Sequence, residues 1–215
     1  LYKHLLFEFF MGKRKYFLQI FRKAELKYGE DEKRLAGEGW KHDWQTLIAT
    51  IMSAQSRDET TIPIAEKLFS KYKSLDDLAK ADYSSVLGIM KSLNYNKTKA
   101  KNVINCAKIL VADFGGRVPS RIEDLVLLSG VGRKTANLVL SETHNADTIT
   151  VDTHVHRISN VIGLVRTKIP VETELALQKI APQKYWSKIN RLFVLWGKSV
   201  SGRDKKRLLT ALAEK

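Results

Sequence analysis

Apolar residues recur every three or four positions along most of this sequence, and no other feature constrains the fold as strongly. This spacing places apolar side chains on one face of an α-helix, whereas a half-buried strand alternates every second residue. Only four prolines and twelve glycines interrupt the 215 residues. One short stretch, ADTITVD at 146–152, is β-like, and we expect it to be extended. The pattern predicts an all-α fold with candidate helices at residues 13–28, 42–54, 59–72, 75–80, 83–91, 97–114, 121–128, 133–143, 153–163, 171–180, 184–198 and 203–214.

The charge balance indicates what such a helical protein binds. Lysine and arginine total 37 against 23 aspartate and glutamate residues, a formal net charge of +14. A chain this basic usually has a polyanionic partner such as nucleic acid. Acidic membrane surfaces are a weaker alternative, and no apolar run approaches the ~20 residues that a spanning helix needs. No signal peptide is evident, and the sequence leaves open whether residues 1–10, which precede Met11, are native.

Cysteine and histidine usage argues against a metal or cluster site. The single cysteine, Cys106, cannot build a disulfide framework or an all-cysteine cluster. The one close histidine pair, His154 and His156, has a spacing that suits co-ligation from a helix face poorly. We therefore expect no metal and no cofactor.

The stretch LLSGVGRKTANLVL, residues 127–140, has almost the composition of a nucleotide-binding phosphate loop. That loop requires G-x-x-x-x-G-K-[ST], whereas here Lys134 follows Arg133, and Leu128 stands six positions before the lysine. The spacing excludes a phosphate loop of this kind.

The residues before the glycines, PSRIEDLVLL, predict a short helix instead of a strand. Ser120 and Glu123 have the spacing of a capping box for a helix at 121–128, and Pro119 would stop any helix arriving from upstream. The motif is then helix, Gly-Val-Gly turn, helix, with the second helix beginning near Arg133. The N–H groups at the start of that helix suit one backbone phosphate of DNA. A plain helical hairpin is the alternative, and the net positive charge favours DNA contact.

Four segments together carry a family resemblance: LSGVGRKTANLVL, ITVDTHVHRISNVIGLV, LIATIMSAQSRD and GGRVPSRIEDL. They resemble the helix-hairpin-helix and Gly-Pro-Asp-loop region of the endonuclease III family of DNA base-excision glycosylases. The resemblance runs from about Trp44 to Gly197, with Ser129 standing where proline is usual in the turn. It implies two all-helical lobes with a DNA-binding cleft between them: a six-helix barrel lobe at 36–146 that contains the hairpin (about 121–143), and a lobe of residues 1–35 and 147–215.

The C-terminal tail departs from the family pattern. Many relatives end in four cysteines that hold an iron–sulfur cluster, whereas WGKSVSGRDKKRLLTALAEK contains none. We therefore expect a variant that lacks the cluster, with a charged helical end containing Lys205, Lys206 and Arg207 in its place.

The resemblance assigns the catalytic residues. Lys134 matches the family nucleophile, which attacks the sugar of a flipped nucleotide to form a Schiff base and then promotes β-elimination. The attacking amine must be neutral, which desolvation, Arg133 and the helix dipole would favour. Asp152, 18 residues further on, matches the essential carboxylate, although it is also a good N-cap for the next helix. Nearby His154 contacts DNA or orients Asp152, or is simply structural.

The resemblance also assigns DNA-contacting residues. Gln55 matches the residue that fills the space left by the flipped nucleotide, and Tyr95 the wedge on the opposite strand. A one-residue shift would put Asn94 or Asn96 in that place instead of Tyr95. Neighbouring lysines border the phosphates or form a solvated face: Lys97, Lys99 and Lys101. The hairpin turn completes the expected DNA-binding set: Gly130, Val131, Gly132 and Arg133.

The leading functional hypothesis is a bifunctional DNA glycosylase and abasic-site lyase that excises oxidised pyrimidines from duplex DNA in base excision repair. Alternatives are a glycosylase for mismatched thymine or uracil or for oxidised purines, and a non-catalytic helix-hairpin-helix protein that binds DNA. We expect a monomer in the cytoplasm, associated with the nucleoid, without a membrane partner.

Overall fold

The computed structural model describes the backbone of residues 2–213 and the side chains of residues 11–213, and within them the protein is all-α, as predicted. The described backbone contains no strand, and residues 145–152, the β-like stretch included, have no regular secondary structure. No described helix has the length and apolar character needed to cross a membrane. The helices are α1 (Tyr2–Tyr28), α2 (Asp43–Ser53), α3 (Asp58–Lys71), α4 (Leu75–Ala79), α5 (Tyr83–Ile89), α6 (Asn96–Phe114), α7 (Ile122–Leu125), α8 (Arg133–His144), α9 (Thr153–Val161), α10 (Pro170–Ile180), α11 (Trp186–Ser199) and α12 (Lys205–Ala211), with a 3₁₀ turn at Gln183–Tyr185.

The chain divides into two compact units, and the first is interrupted by the second. Unit 1 consists of Leu1–Lys33 and Asp147–Lys215, and unit 2 of Arg34–Ala146. The second unit therefore opens two residues before the expected position 36. It contains seven helical segments within its described residues, α2 to α8, one for each candidate helix of the sequence analysis between residues 42 and 143, whereas the family resemblance implied a six-helix lobe.

The core of unit 2 is built around α2, which is buried along most of its length and packs against α3, α6 and α8. Apolar side chains from each of these helices close around it. Trp44 and Trp40 each meet the ring of Phe69 edge-on, at centroid distances of 5.2 and 4.9 Å. The burial of these large rings contributes hydrophobic stabilisation to the core of unit 2.

The segment between α6 and α7 differs from the prediction in two ways. The upstream helix ends at Gly115, in the left-handed region, where Gly116 N–H bonds Leu110 O, so it stops before Pro119 is reached. The Ser120–Glu123 capping box is also wrong, because α7 begins one residue later, with Arg121 as an N-cap that makes no side-chain cap bond.

Helix α7 is shorter than the predicted 121–128. After Leu125 the chain continues with bonds from Leu127 N to Asp124 O and from Leu128 N to Leu125 O. These three-residue bonds form a tighter turn than an α-helix but keep nearly the same apolar spacing.

Unit 1 packs α1 and α9 against α11. Phe21 on α1 contacts the ring of Tyr185 at 4.5 Å, and Phe193 meets Trp196 edge-on at 5.5 Å. Trp196 is fully buried, and its Nε1 donates to the carbonyl of Leu208 on α12 at 3.2 Å. Apolar burial and this one directed bond hold α12, which Asp204 caps, against the rest of the unit. The last predicted position of this helix, 214, lies outside the described residues.

A single arginine fixes the loop between α11 and α12. The guanidinium of Arg157, on α9, donates to the carbonyls of Gly197 and Val200, both at 3.1 Å, and to that of Gly202. Burial lowers the pKa of Arg157, and the nearby Asp152 carboxylate opposes that shift. The guanidinium thus satisfies carbonyls that the end of α11 leaves without helical partners.

Candidate functional site

The Gly-Val-Gly turn joins α7 to α8 and presents the start of α8. Gly130 has φ +80°, a conformation that favours glycine, and Gly132 is the N-cap of α8 with an ordinary φ of −97°. Val131 is buried at 7% exposure, so its side chain packs inward and only its backbone remains for the predicted DNA contact. The first N–H groups of a helix have no partner within the helix, and the positive end of the dipole lies at the same place. The start of α8 therefore combines N–H donors that have no partner within the helix with a positive dipole end, an arrangement that suits an anion.

Helix α6 supports this turn from within unit 2. Ser129 Oγ donates to Oδ1 of Asn102 at 3.1 Å. A Cβ placed on Gly130 would lie 2.8 Å from Asn102 Nδ2 and 2.9 Å from its Cβ. Asn102 was not identified from the sequence, because a polar residue in the middle of an amphipathic helix gives no signal of what it touches.

Replacing Gly130 by alanine should destabilise the turn on two counts. The left-handed backbone becomes strained and the new Cβ collides with Asn102, so we expect a loss of about 1–3 kcal/mol in the free energy of unfolding. Duplex DNA should also bind less tightly, by roughly tenfold for about 1.4 kcal/mol of lost interaction. Urea unfolding and a duplex titration measure both effects.

The matched control is Gly132→Ala, two residues away in the same turn. Its Cβ would meet nothing within 4 Å, and its φ is open to any residue. The expected loss of stability is below about 1 kcal/mol, the cost of a poorer N-cap. Equal losses in the two variants would show that the crowding at Gly130 is unimportant.

Lys134 occupies the first turn of α8, directly after Arg133, and both side chains are exposed. We expected the protein to bury and desolvate this lysine, and in the absence of DNA that expectation is wrong. The physical reason is its position, since the adjacent Thr135 and Ala136 occupy the buried face of the helix. Desolvation of this amine would require a bound partner that covers it.

Asp152 is the N-cap of α9, as the sequence suggested. Its Oδ1 accepts the N–H of Val155 at 2.8 Å, and the residue is half-buried. The capping bond engages Oδ1, and Oδ2 is the oxygen that does not cap the helix. Capping and chemistry are compatible, because the cap uses one oxygen and holds the other in a fixed orientation.

His154 lies one residue beyond the start of α9, against the backbone of α11. A Cβ on Gly197 would fall 2.2 Å from His154 Nδ1 and 2.7 Å from its Cγ, and Nδ1 is buried. This edge of the imidazole packs inside unit 1 against Gly197. The buried Nδ1 therefore supports a structural role for His154. The contact also fixes the beginning of α9, where Asp152 stands.

Gly197→Ala should therefore affect both stability and base excision. The methyl group has to push the His154 ring away, and overpacking of this kind costs about 1–3 kcal/mol. Because α9 begins at that contact, Asp152 should shift and the excision rate should fall. Gly88→Ala, on α5 with nothing within 4 Å, is the control and should be neutral or slightly stabilising. Full activity in Gly197→Ala would show that the contact between His154 and Gly197 does not position Asp152.

Gln55 and Tyr95 lie on neighbouring loops of unit 2. Both are exposed and both have left-handed backbones, with φ +53° and +56°. The side-chain amide of Asn94 donates to Gln55 O at 2.7 Å, and that of Asn96 to Lys91 O at 2.7 Å. The side-chain amides of both asparagines are thus bound to backbone carbonyls. Tyr95 is 66% exposed, so of the three candidates for the wedge its side chain is the one that projects into solvent.

The three alternating lysines do not share one face. Lys97 and Lys101 are exposed, whereas Lys99 is buried and its Nζ donates to Ser56 Oγ at 2.8 Å. The reason is helical geometry, because residues four apart face the same way and the one between them does not. The expectation for Lys99, a phosphate border or a solvated face, is wrong.

The predicted residues thus fall into three places. Gln55 and Tyr95 are joined through Asn94, and the hairpin turn carries Arg133 and Lys134 at the start of α8, all in unit 2. Asp152 and His154 belong to the start of α9, in unit 1.

The residues present do not fit a four-cysteine iron–sulfur cluster. The one cysteine, Cys106, lies in the core of unit 2, where burial raises the pKa of its thiol to about 12, so it is not a thiolate ligand. Within the described side chains no three His, Cys, Asp or Glu residues are grouped as metal ligands would be. The loop after α11 is instead held by the Arg157 bonds to its carbonyls.

The family comparison identifies the class of protein to which this arrangement belongs. Residues 48–183 match the model of the HhH-GPD superfamily of base excision DNA repair proteins, a span that includes Gln55, Tyr95, Lys134 and Asp152. The fold is thus that of a helix-hairpin-helix DNA glycosylase.

Individual relatives define the family within that class. Endonuclease III of Thermotoga maritima is 42% identical over 157 residues, 73% of this chain and 74% of that protein, and endonuclease III of Bacillus subtilis is 35% identical over 156 residues, 72% and 71%. A solved structure of a trapped endonuclease III–DNA covalent intermediate matches with a TM-score of 0.80 and 28% identity, covering 86% of each chain. The chain belongs to the endonuclease III family, and it is a DNA glycosylase with abasic-site lyase activity.

Proposed function

We propose that Lys134 is the nucleophile with which this protein removes a damaged base from duplex DNA. The neutral amine attacks C1′ of the deoxyribose, and the bond from C1′ to the base breaks with its electron pair leaving on the base nitrogen. Loss of the amine proton and opening of the sugar ring give a Schiff base. A proton is then lost from C2′, and the 3′ phosphate departs by β-elimination.

Asp152 supports this reaction as a carboxylate. Because Oδ1 is committed to the Val155 N–H, we assign the chemistry to Oδ2, which stabilises positive charge developing on the sugar and accepts the proton that the amine releases. The capping bond keeps that oxygen from rotating. Pre-orientation of this kind lowers the reorganisation needed in the transition state.

In this proposal, residues of unit 2 bind the duplex and extrude the damaged nucleotide. The α8 N-terminus and Gly-Val-Gly turn take one backbone phosphate, beside the nucleophile. Gln55 fills the space that the extruded nucleotide leaves, and the Tyr95 ring enters between bases on the opposite strand. Both side chains are exposed, as such roles require.

The proposed substrates are oxidised pyrimidines in duplex DNA, and the place of action is the nucleoid in the cytoplasm. The lesion preference rests on membership of the endonuclease III family. The lysine route is supported by a solved relative that was captured as a covalent intermediate with DNA, the species that an amine nucleophile forms. We propose that the enzyme works without an iron–sulfur cluster. The observation that carries the proposal is an exposed lysine on the first turn of α8, directly after the Gly-Val-Gly turn that precedes this helix.

A panel of single-lesion duplexes tests the substrate class. Thymine glycol or another oxidised pyrimidine should be excised and, with borohydride present, trapped as a covalent protein–DNA adduct. Duplexes with a thymine mismatch, uracil or 8-oxoguanine should react at least about tenfold more slowly, the discrimination that one or two pocket contacts provide. Preference for any of these three would replace oxidised pyrimidines as the substrate. Binding of every duplex with no adduct would leave a non-catalytic DNA-binding protein.

A further inference from the structure

Gln55 and Tyr95 combine exposed side chains with a left-handed backbone conformation. Among the described non-glycine residues, positive φ occurs at Gln55, Tyr95 and Asn145. Asn145 ends α8 as a C-cap, a position where asparagine commonly adopts this conformation. Glutamine and tyrosine seldom do, and each costs on the order of 1 kcal/mol there. Surrounding contacts must therefore hold these two turns in place.

Two hydrogen bonds from the same segment supply those contacts. Asn94, next to Tyr95, donates its side-chain amide to Gln55 O at 2.7 Å. Lys99, one turn into α6, donates Nζ to Ser56 Oγ at 2.8 Å, and the Ser56 N–H bonds Ser53 O at 2.9 Å. The two strained turns are thus joined at adjacent residues, 55 and 56, by groups on either side of Tyr95.

Burial of the Lys99 side chain costs free energy of folding. Lys99 is only 5% exposed, and burial lowers its pKa to about 8. Within the described side chains, the acceptor for its ammonium is a neutral hydroxyl, that of Ser56, and not a carboxylate. Burying such a group normally destabilises a fold relative to an apolar side chain of similar size. The stability of unit 2 does not explain Lys99, whereas the position of the Ser56 turn does.

We propose that Lys99 and Asn94 are positioning residues that hold the Gln55 turn and the Tyr95 loop in one fixed relation, so that both side chains enter the duplex together. This inference rests on the proposed function, because it concerns how Gln55 and Tyr95 act when a nucleotide is extruded. Neither positioning residue has to touch the reacting sugar. Their effect is on the extrusion of a base from paired DNA, a step that a single strand does not require.

The test compares duplex and single-stranded substrates. Lys99→Met approximately keeps the volume of the side chain and removes the bond, and Ser56→Ala removes the same bond from its half-buried acceptor end. Each should slow single-turnover excision from a duplex by about 3- to 10-fold, as expected for one lost hydrogen bond. The double variant should be no slower than either single variant, because both remove one interaction. Asn94→Ala should show a loss of similar size.

Two controls separate positioning from folding and from catalysis. Lys108→Met removes an exposed charge further along α6 and should leave all rates unchanged. β-Elimination at an abasic site in single-stranded DNA should be unchanged in Lys99→Met and Ser56→Ala, and Lys99→Met should not unfold at a lower urea concentration than wild type. Ser56→Ala leaves the buried ammonium without this hydroxyl acceptor, so a lower unfolding midpoint is expected in that variant alone. A duplex rate equal to that of Lys108→Met, additive losses, or an equal loss on single strands would each overturn the inference. If wild type cleaves no abasic site, the proposed function itself fails.

Discussion

Lys134→Gln is expected to abolish the covalent adduct that borohydride traps between this enzyme and abasic DNA. The amide of glutamine is not nucleophilic, so no Schiff base forms and β-elimination cannot begin. Base excision through the covalent route should fall by on the order of 10³-fold or more, as when a covalent nucleophile is removed elsewhere. Gel analysis of trapped adducts, together with single-turnover excision, measures both losses.

Two further variants distinguish the nucleophilic role of the Lys134 amine from the effect of positive charge at the start of α8. Lys134→Arg keeps a positive side chain on the first turn of α8 but has no nucleophilic amine, so trapping should be lost while duplex binding remains. Arg133→Gln removes the neighbouring exposed charge and keeps the amine, so trapping should persist with weaker binding. Trapping by Lys134→Gln at the wild-type level would assign the Schiff base to another lysine.

Asp152→Asn should lower the excision rate by about 10²–10⁴-fold, the usual range for a positioned acid–base or charge-stabilising group. Asparagine is as good an N-cap as aspartate, and its amide oxygen can still accept the Val155 N–H. The variant should therefore keep its fold and its affinity for DNA. Single-turnover kinetics and thermal unfolding of the same preparation measure the two properties.

Asp152→Ala is the contrasting variant, because it loses the cap as well as the carboxylate. It should be about 1 kcal/mol less stable than Asp152→Asn, with a similar excision rate. A normal rate in Asp152→Asn would leave this residue with no role beyond capping α9.

The helical period was sufficient to predict the all-α fold, because burial of one face of each helix decides it. It failed where other forces set the ends of helices. The sequence at 126–128 keeps an apolar spacing, but its bonds span three residues and α7 stops at Leu125. Ser120 has the chemistry of an N-cap, yet the helix begins after Arg121. Such boundaries depend on tertiary contacts that a local pattern does not contain.

The loops that we propose to contact DNA could be located from the sequence, but the groups that hold them in place could not. Gln55 and Tyr95 came from family resemblance, and both are exposed on adjacent loops. The groups that hold those loops, Asn94 and Lys99, are separated in sequence from the Gln55 turn by about 40 residues. Only the packing of α6 against α2 brings them together. Likewise, the desolvation expected at Lys134 depends on a bound substrate.

The interruption of unit 1 by unit 2 has a consequence for synthesis on the ribosome. Arg34–Ala146 emerges as one uninterrupted segment and can bury its core before the rest of the chain is made. Glu25 on α1 must wait for its partner Lys188, 163 residues later, which takes on the order of 10 s at bacterial-like elongation rates of roughly 5–20 residues per second. For that interval the apolar face of α1 around Phe17 and Phe21 lacks its α11 cover, and it is the part of the nascent chain that a holding chaperone would protect.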